Sequence, residues 1–168
     1  MELTPIDIKN YLPHRSPMLM VDMIQKMNHE IVETFFEIKP DNIFVQNNTF
    51  VEAGLIENAA QTCSAIVAKG YYVDENNEDR NDVAVIGFIS ALKTLKIHAL
   101  PKAGNTITTL ATFMSQFVTD DYTLCTMNCK TTCEGQLLLE GEINLFIQEK
   151  PASTTPTGEL EKQAKEAK

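Results

Sequence analysis

The sequence has no long hydrophobic run and few positive charges. No apolar stretch approaches the roughly 20 residues that cross a bilayer, so no membrane-spanning helix is expected. Lys and Arg total 14 against 23 Asp and Glu, a formal charge of −9. No basic stripe is present to neutralise phosphates, which argues against a nucleic-acid partner, and an acidic surface argues against anionic lipid. The opening MELTPIDIKN carries acids early and lacks the apolar core of a secretion signal, so a cytoplasmic protein is expected. No internal repeat is visible. Histidine is scarce, with only His14, His29 and His98.

Cysteine is also sparse, at Cys63, Cys125, Cys129 and Cys133. The last three recur every fourth residue in YTLCTMNCKTTC. That stretch is rich in Thr and follows a turn signal, so it reads as a strand. Strand residues four apart share a face but sit about 13 Å from each other. That is too far to grip one metal at about 2.3 Å per sulfur. Reduced thiols on one face are expected, with no metal and no cofactor.

What is present suffices for one domain with a sizeable core. Residues 1–150 read as that domain, and 151–168, PASTTPTGELEKQAKEAK, as a disordered tail or frayed helix. LTPIDIKNYL opens with a helix-start signal, Thr4 as cap and Pro5 at the first helical position, for a short helix to about Tyr11. Pro13 and Pro17 then hold PHRSP out of helix. MLMVDMIQKM and EIVETFFEIK read as two strands joined near Asn28 and His29, the second ended by Pro40-Asp41-Asn42. In NNTFVEAGLIENAAQTCSAIVAKGYY, Thr49 and Glu52 fit a capping box and Gly70 a helix stop, with about 20 helical residues between. VDENNEDRND is an acidic connection. Strands follow in VAVIGFI, ALKTLKIHA, NTITTLATFMSQFV, YTLCTMNCKTT and QLLLEGEINLFIQ, the last three as an antiparallel meander.

From residue 53 to 68 the only charged side chain is Glu57. A helix so uncharged all round is normally buried. A strongly bent antiparallel sheet wrapped around one long helix accounts for this, an α+β domain. On the helical wheel Glu57 falls beside small residues, with Gln61 one turn on. Glu57 either reaches solvent at the sheet's edge or is a carboxyl held in an apolar seam. Desolvation disfavours the charged form of such a group, which suits proton transfer near neutral pH; Gln61 is then placed to orient it.

YLPHRSPMLMVD closely resembles the L-P-H-R-x-P-x-L-x-V-D signature of the 3-hydroxyacyl-(acyl-carrier-protein) dehydratases. GLIENAAQTCSAIVA resembles that family's helix, in which a catalytic glutamate opens an E-x-x-A-Q pattern, and VIGFISALKTLKIHALPKAGNTI resembles its later segment. The resemblance runs from about residue 6 to residue 148. It implies the hotdog fold, a bent antiparallel sheet around one helix. It also implies dimers whose sheets join, with acyl tunnels along the subunit boundary. Glu57 takes the place of the catalytic carboxylate. Gly87 falls where a backbone N–H binds the thioester carbonyl, and His14 and Arg15 lie in a loop that borders the tunnel and is not the family's usual source of the base, so a purely structural role for His14 stands beside a chemical one. One departure stands out. The family's catalytic histidine lies in H-x-F-P-x-x-P-x-x-P-G before the helix, and here NIFVQNNTFVEAG has no histidine. Ile43 stands opposite it in an ungapped register, and Asn47 or Asn48 in a looser one. Asn can donate to a thioester oxygen but cannot shuttle protons as imidazole does. The pattern resembles a divergent branch associated with aryl-polyene and related pigment clusters.

Three readings follow. The first is a dehydratase, or dehydratase-like subunit, acting on a 3-hydroxyacyl thioester of acyl-carrier protein or coenzyme A in fatty-acid or polyene biosynthesis. Glu57 is then catalytic, and the missing partner is His14 or a histidine from a related hotdog subunit, in a homodimer or heterodimer. The second is a hotdog thioesterase using Glu57, Gln61 and an upstream Asn. The third is a non-catalytic acyl-binding or scaffolding subunit. A histidine about 6–8 Å from Glu57, with a pocket between them, would allow both to touch one substrate.

Overall fold

The computed structural model describes residues 6–72 and 83–151. Period-2 alternation runs through much of the three long C-terminal strands, and it sets one sheet face toward the core. In β8 (Thr123–Cys133) the odd positions from Thr123 to Thr131 are buried and the even ones are not. β7 (Thr106–Val118), β8 and β9 (Gln136–Pro151) form the expected antiparallel meander. β1 (Ile6–Asp7), β2 (Met23–Met27) and β3 (Ile31–Glu37) extend it on one side and β6 (Val83–Ile97) on the other. The order of the seven-stranded sheet is β1-β2-β3-β7-β8-β9-β6. A separate two-stranded ribbon pairs β4 (Val45–Gln46) with β5 (Thr49–Phe50).

The single long helix, α1 (Glu52–Tyr72), packs against β3, β6, β7, β8 and β9. From Gly54 to Ala68 each of its described residues is buried or half-buried. The stretch of helix whose only charge is Glu57 is therefore enclosed by a curved sheet, as its composition required. Leu55, Ala59, Cys63 and Ile66 meet Ile107, Ala111, Met127, Ile143 and Leu145 in one continuous core.

Several local expectations differ from what is observed. The helix expected near the N-terminus is the two-residue β1 followed by a single 3₁₀ turn, Ile8–Asn10. Asp7 caps that turn by accepting from Lys9 N; Thr4 and Pro5 lie outside the described residues. The Thr49/Glu52 capping box does not form, because Thr49 is held in β5, opposite Gln46 and in a bridge to Lys102. The helix starts at Glu52 instead, with the Val51 carbonyl accepting from Gly54 and Leu55. It also runs two residues past Gly70. The two strands expected between residues 83 and 99 are one strand, β6, with register shifts at Ile89/Ala91 and Lys93/Lys96. Each shift breaks the alternation, which in sequence looks like a strand end. Gly141 accommodates the second: a Cβ there would lie 2.6 Å from Leu95 Cα. Finally, β2 begins at Met23, so residues 18–22 lie outside the strand expected there. The acidic connection at 73–82 and the tail beyond Pro151 fall outside the described residues.

Cys125 and Cys129 sit on the buried face of β8, as the strand reading requires, and all four cysteines are free thiols. Burial pushes the Cys125 thiol up to about 11. Contact with the Cys129 thiol, followed by burial, raises Cys63. Among the described residues no helix is long and apolar enough to cross a membrane, and no cluster of three metal-ligating side chains occurs.

Candidate functional site

The site forms where the proline-bounded loop crosses α1. Residues 12–15 have no regular structure, and a 3₁₀ turn precedes them. Arg15 holds the loop together by donating to the carbonyl oxygens of Leu12 (2.8 Å) and His14 (2.7 Å), with a longer bond to Lys9 (3.5 Å). Its role here is local: it ties the loop's backbone. The loop carries His14 over the small-residue flank of the helix, so that His14 Nε2 lies 3.9 Å from Glu57 Oε1. Their side chains are 34 % and 25 % exposed, so both are reachable yet partly shielded. A separation of 3.9 Å exceeds a hydrogen bond. His14 Nδ1 is buried and has no hydrogen-bond partner among the described residues.

Gln61 orients the carboxyl. Its Nε2 donates to Glu57 Oε1 at 2.7 Å, the same oxygen that faces His14. Its other N–H reaches the Met18 carbonyl at 2.7 Å, and its Oε1 accepts from Met20 N at 2.8 Å. All the hydrogens of the side-chain amide are therefore used. Asn58, three residues before Gln61 and on the same helix face, donates to the Met20 carbonyl at 2.6 Å. Residues 18–20 thus need no sheet partner: helix side chains satisfy the Met18 carbonyl and both backbone groups of Met20, while Met18 N and Leu19 N donate to the Arg15 carbonyl.

Beside His14 a small cleft of about 40 Å³ runs between helix and sheet. Gly87 on β6 and Ser64 and Ala68 on α1 form its walls, with Tyr11, Pro13 and Ile147. Gly87 lies opposite Ile147 in the β6–β9 register, and a Cβ on it would come within 2.9 Å of Ile147 Cδ1. The missing side chain thus leaves backbone facing the cleft. His14 and Gly87 therefore border one space, and Glu57 and Gln61 adjoin it through His14.

Other candidates lie elsewhere. Asn47 and Asn48 occupy the β4–β5 turn, with φ of 49° and 63°, both exposed. They serve the turn, where Asn tolerates a left-handed backbone, and the Asn48 carbonyl accepts from Ala103 N. Neither borders the cleft. Ile43 is exposed and lines a larger, polar cleft of about 620 Å³ on the far side of the loop, together with Arg15. That larger space includes neither Glu57 nor His14, whereas His14 borders the smaller one. Asn58 went unnoticed in the sequence. The available signal was a buried amide in a helix of apolar residues, which needs partners supplied from outside the helix.

Chemically, an imidazole and a carboxyl 3.9 Å apart beside an apolar cleft are groups of the kind that can accept and deliver protons to a bound molecule.

A family model described as ApeP-like, ApeP dehydratase, matches residues 6–155. No curated protein matches the chain. Among solved structures, the chain is similar to one in the dehydratase heterocomplex ApeI:P from Xenorhabdus doucetiae. The two share 14 % identity, with 95 % of this chain and 97 % of that one covered, at a TM-score of 0.68. It is also similar to a hypothetical thioesterase with coenzyme A from Streptococcus pneumoniae, at 13 % identity, 76 % and 86 % coverage and a TM-score of 0.54. At these identities the likeness is one of fold, a curved antiparallel sheet with one helix, the hotdog arrangement.

Proposed function

This chain belongs to the ApeP-like dehydratase family, and from that membership we propose that it dehydrates a 3-hydroxyacyl thioester through His14 and Glu57, as one subunit of a hotdog dimer. The observation that carries the reading is the 3.9 Å approach of His14 Nε2 to Glu57 Oε1. The glutamate has kept its place on the helix. The imidazole arrives from the N-terminal loop instead of from the segment before the helix. Gly87 N–H, on the cleft's wall, is the candidate donor to the thioester oxygen as negative charge builds there. The acyl group is carried by acyl-carrier protein or by coenzyme A.

A partner completes the site. A cleft of about 40 Å³ holds about one water, whereas pockets for organic ligands run to about 300–1,000 Å³. The missing wall belongs beside β6, an edge strand of the sheet, which also exposes Ile86 and Phe88 on the face opposite Gly87. Unpaired edge backbone and exposed apolar side chains together suit strand addition by a related hotdog subunit. The similar chain from Xenorhabdus doucetiae comes from a heterocomplex, which favours a related but different chain over a second copy.

The test is mass-spectrometric loss of water from a 3-hydroxyacyl thioester, with the chain alone and with its candidate partner. Enoyl thioester is expected from the pair, with at least about a hundredfold loss in His14→Ala and in Glu57→Gln, as for removal of a general acid or base. Free thiol without enoyl product would make it a thioesterase, with Glu57 attacking or activating water. Binding without turnover in every combination would make it a scaffold subunit.

A further inference from the structure

The loop that carries His14 is not held to the helix by packing alone. Both backbone groups of residue 20 are gripped. Its N–H donates to Gln61 Oε1 and its C=O accepts from Asn58 Nδ2. Asn58, Gln61 and Met20 are all fully buried. Two helix side chains thus do for this segment what a neighbouring strand does elsewhere.

The bonds behind Asn58 fix its orientation. Because Nδ2 points at the Met20 carbonyl, Oδ1 must accept, and it does so from Thr109 Oγ1 on β7 at 2.6 Å. Thr109 has then spent its only proton. The 2.8 Å contact between Thr109 and Thr131 Oγ1 on β8 therefore has Thr131 as donor. The chain has one sense throughout, from Thr131 to Thr109 to Asn58 to Met20. From Met20 N–H it continues through Gln61 to Glu57, and Glu57 faces His14. A buried polar network in which every member is satisfied allows one arrangement and makes the alternatives expensive.

We propose that Asn58 and Gln61 form a polar clamp that sets the His14–Glu57 separation, with Asn58 a positioning residue that acts without touching the reacting groups and Thr109 holding Asn58 in its working orientation. The proposal rests on the functional reading above. Loop and helix meet at residues 18–20, and His14 hangs from that same loop. Releasing the Met20 carbonyl lets the loop shift relative to the helix while the apolar core remains. A displacement near 1 Å at a reacting group is enough to lower turnover severely.

The test uses the full chain, in the complex in which it turns over. Three variants serve: Asn58→Leu, Thr109→Val and Thr109→Ser. Val keeps the shape of Thr and removes the hydroxyl, and Ser keeps the hydroxyl. Two readouts are taken. The first is kcat and KM for dehydration. The second needs no activity: the change in the His14 ring NMR resonances caused by Glu57→Gln, measured in the unaltered chain and in each variant background. With three histidines in the chain, the resonances can be assigned by substitution. We expect kcat to fall about tenfold or more in Asn58→Leu and in Thr109→Val, with KM within about twofold and Thr109→Ser close to the parent. The His14 response to Glu57→Gln should shrink by about half or more in the first two and persist in the third. If Asn58→Leu does not fold, the Thr109 pair carries the test. An undiminished His14 response in Thr109→Val, or equal behaviour of Val and Ser, overturns the clamp. If the parent complex shows no dehydration but the response is lost as described, the functional reading falls and the clamp stands.

Discussion

Replacing Gln61 by Met keeps the length of the side chain and deletes its amide, so the consequences follow from three named bonds. The Met20 N–H, on a residue with no exposure, loses its only acceptor. A buried donor left unpaired costs about 1–3 kcal/mol. The Met18 carbonyl lies nearer the surface, on an exposed residue, and water replaces the amide at a net loss of about 0.5–1 kcal/mol. The Glu57 carboxyl, a quarter exposed, is likewise rehydrated, for a similar small loss. Against these, a buried thioether in place of an amide gains about 1–2 kcal/mol of apolar burial. The balance is a destabilisation of about 2 kcal/mol, which in a chain of this size lowers the unfolding temperature by about 4–8 °C. Scanning calorimetry or circular dichroism of the full chain measures it. A shift within about 1 °C would refute the reasoning, because Met20 N–H would then have another acceptor and the loop would not depend on the helix. Gln61→Glu sharpens the point. It keeps the acceptor for Met20 N but sets a carboxylate against the Met18 carbonyl and Glu57. That variant should be less stable than Gln61→Met near neutral pH. Repulsion raises the new carboxyl's pKa in the fold, so the folded state binds the extra proton first. Part of the loss should therefore return as pH falls toward about 4.

Gly54→Ala should destabilise despite the better helix former. Its Cβ would lie 2.5 Å from Phe50 Cζ and 2.7 Å from Phe44 Cβ, an overlap costing about 1–3 kcal/mol against a propensity gain near 1 kcal/mol; chemical denaturation reading a stability increase would contradict the packing. Thr34 and Thr62 share a buried 2.7 Å hydroxyl pair, so Thr62→Val alone should lose about 1–3 kcal/mol while Thr34→Val with Thr62→Val approaches the parent; a double variant no better than the single would show that the pair is not isolated. Because burial raises Cys125 to about 11 from an ordinary value of 9.0, the unfolded chain loses this thiol proton first. Stability from this group is full below pH 9 and falls between pH 9 and 11, by about 2–3 kcal/mol. Denaturant midpoints compared for the parent and Cys125→Ala across that window check it, and parallel curves would remove the thiol as the cause.

The sequence by itself determined the enclosing architecture. An uncharged 16-residue stretch broken only by Glu57 has to be surrounded, and runs of strand-forming residues joined by short turns form the surrounding sheet. These are local signals, because burial writes its period into neighbouring residues. The tertiary structure alone decided what stands beside what. The resemblance offered His14 as a candidate partner for Glu57, but nothing in PHRSP sets the distance between them, since that depends on the path of a loop whose backbone partners are Asn58 and Gln61, far along the chain. Asn47 and Asn48 looked eligible by spacing, yet the β4–β5 turn uses them for its left-handed backbone. The single strand β6 looked like two because its bulges interrupt the alternation that a reader follows. Periodicity records which side of an element is buried. The distance between two side chains on different elements is set by register, by loop geometry and by buried hydrogen bonds, none of which repeats along the chain.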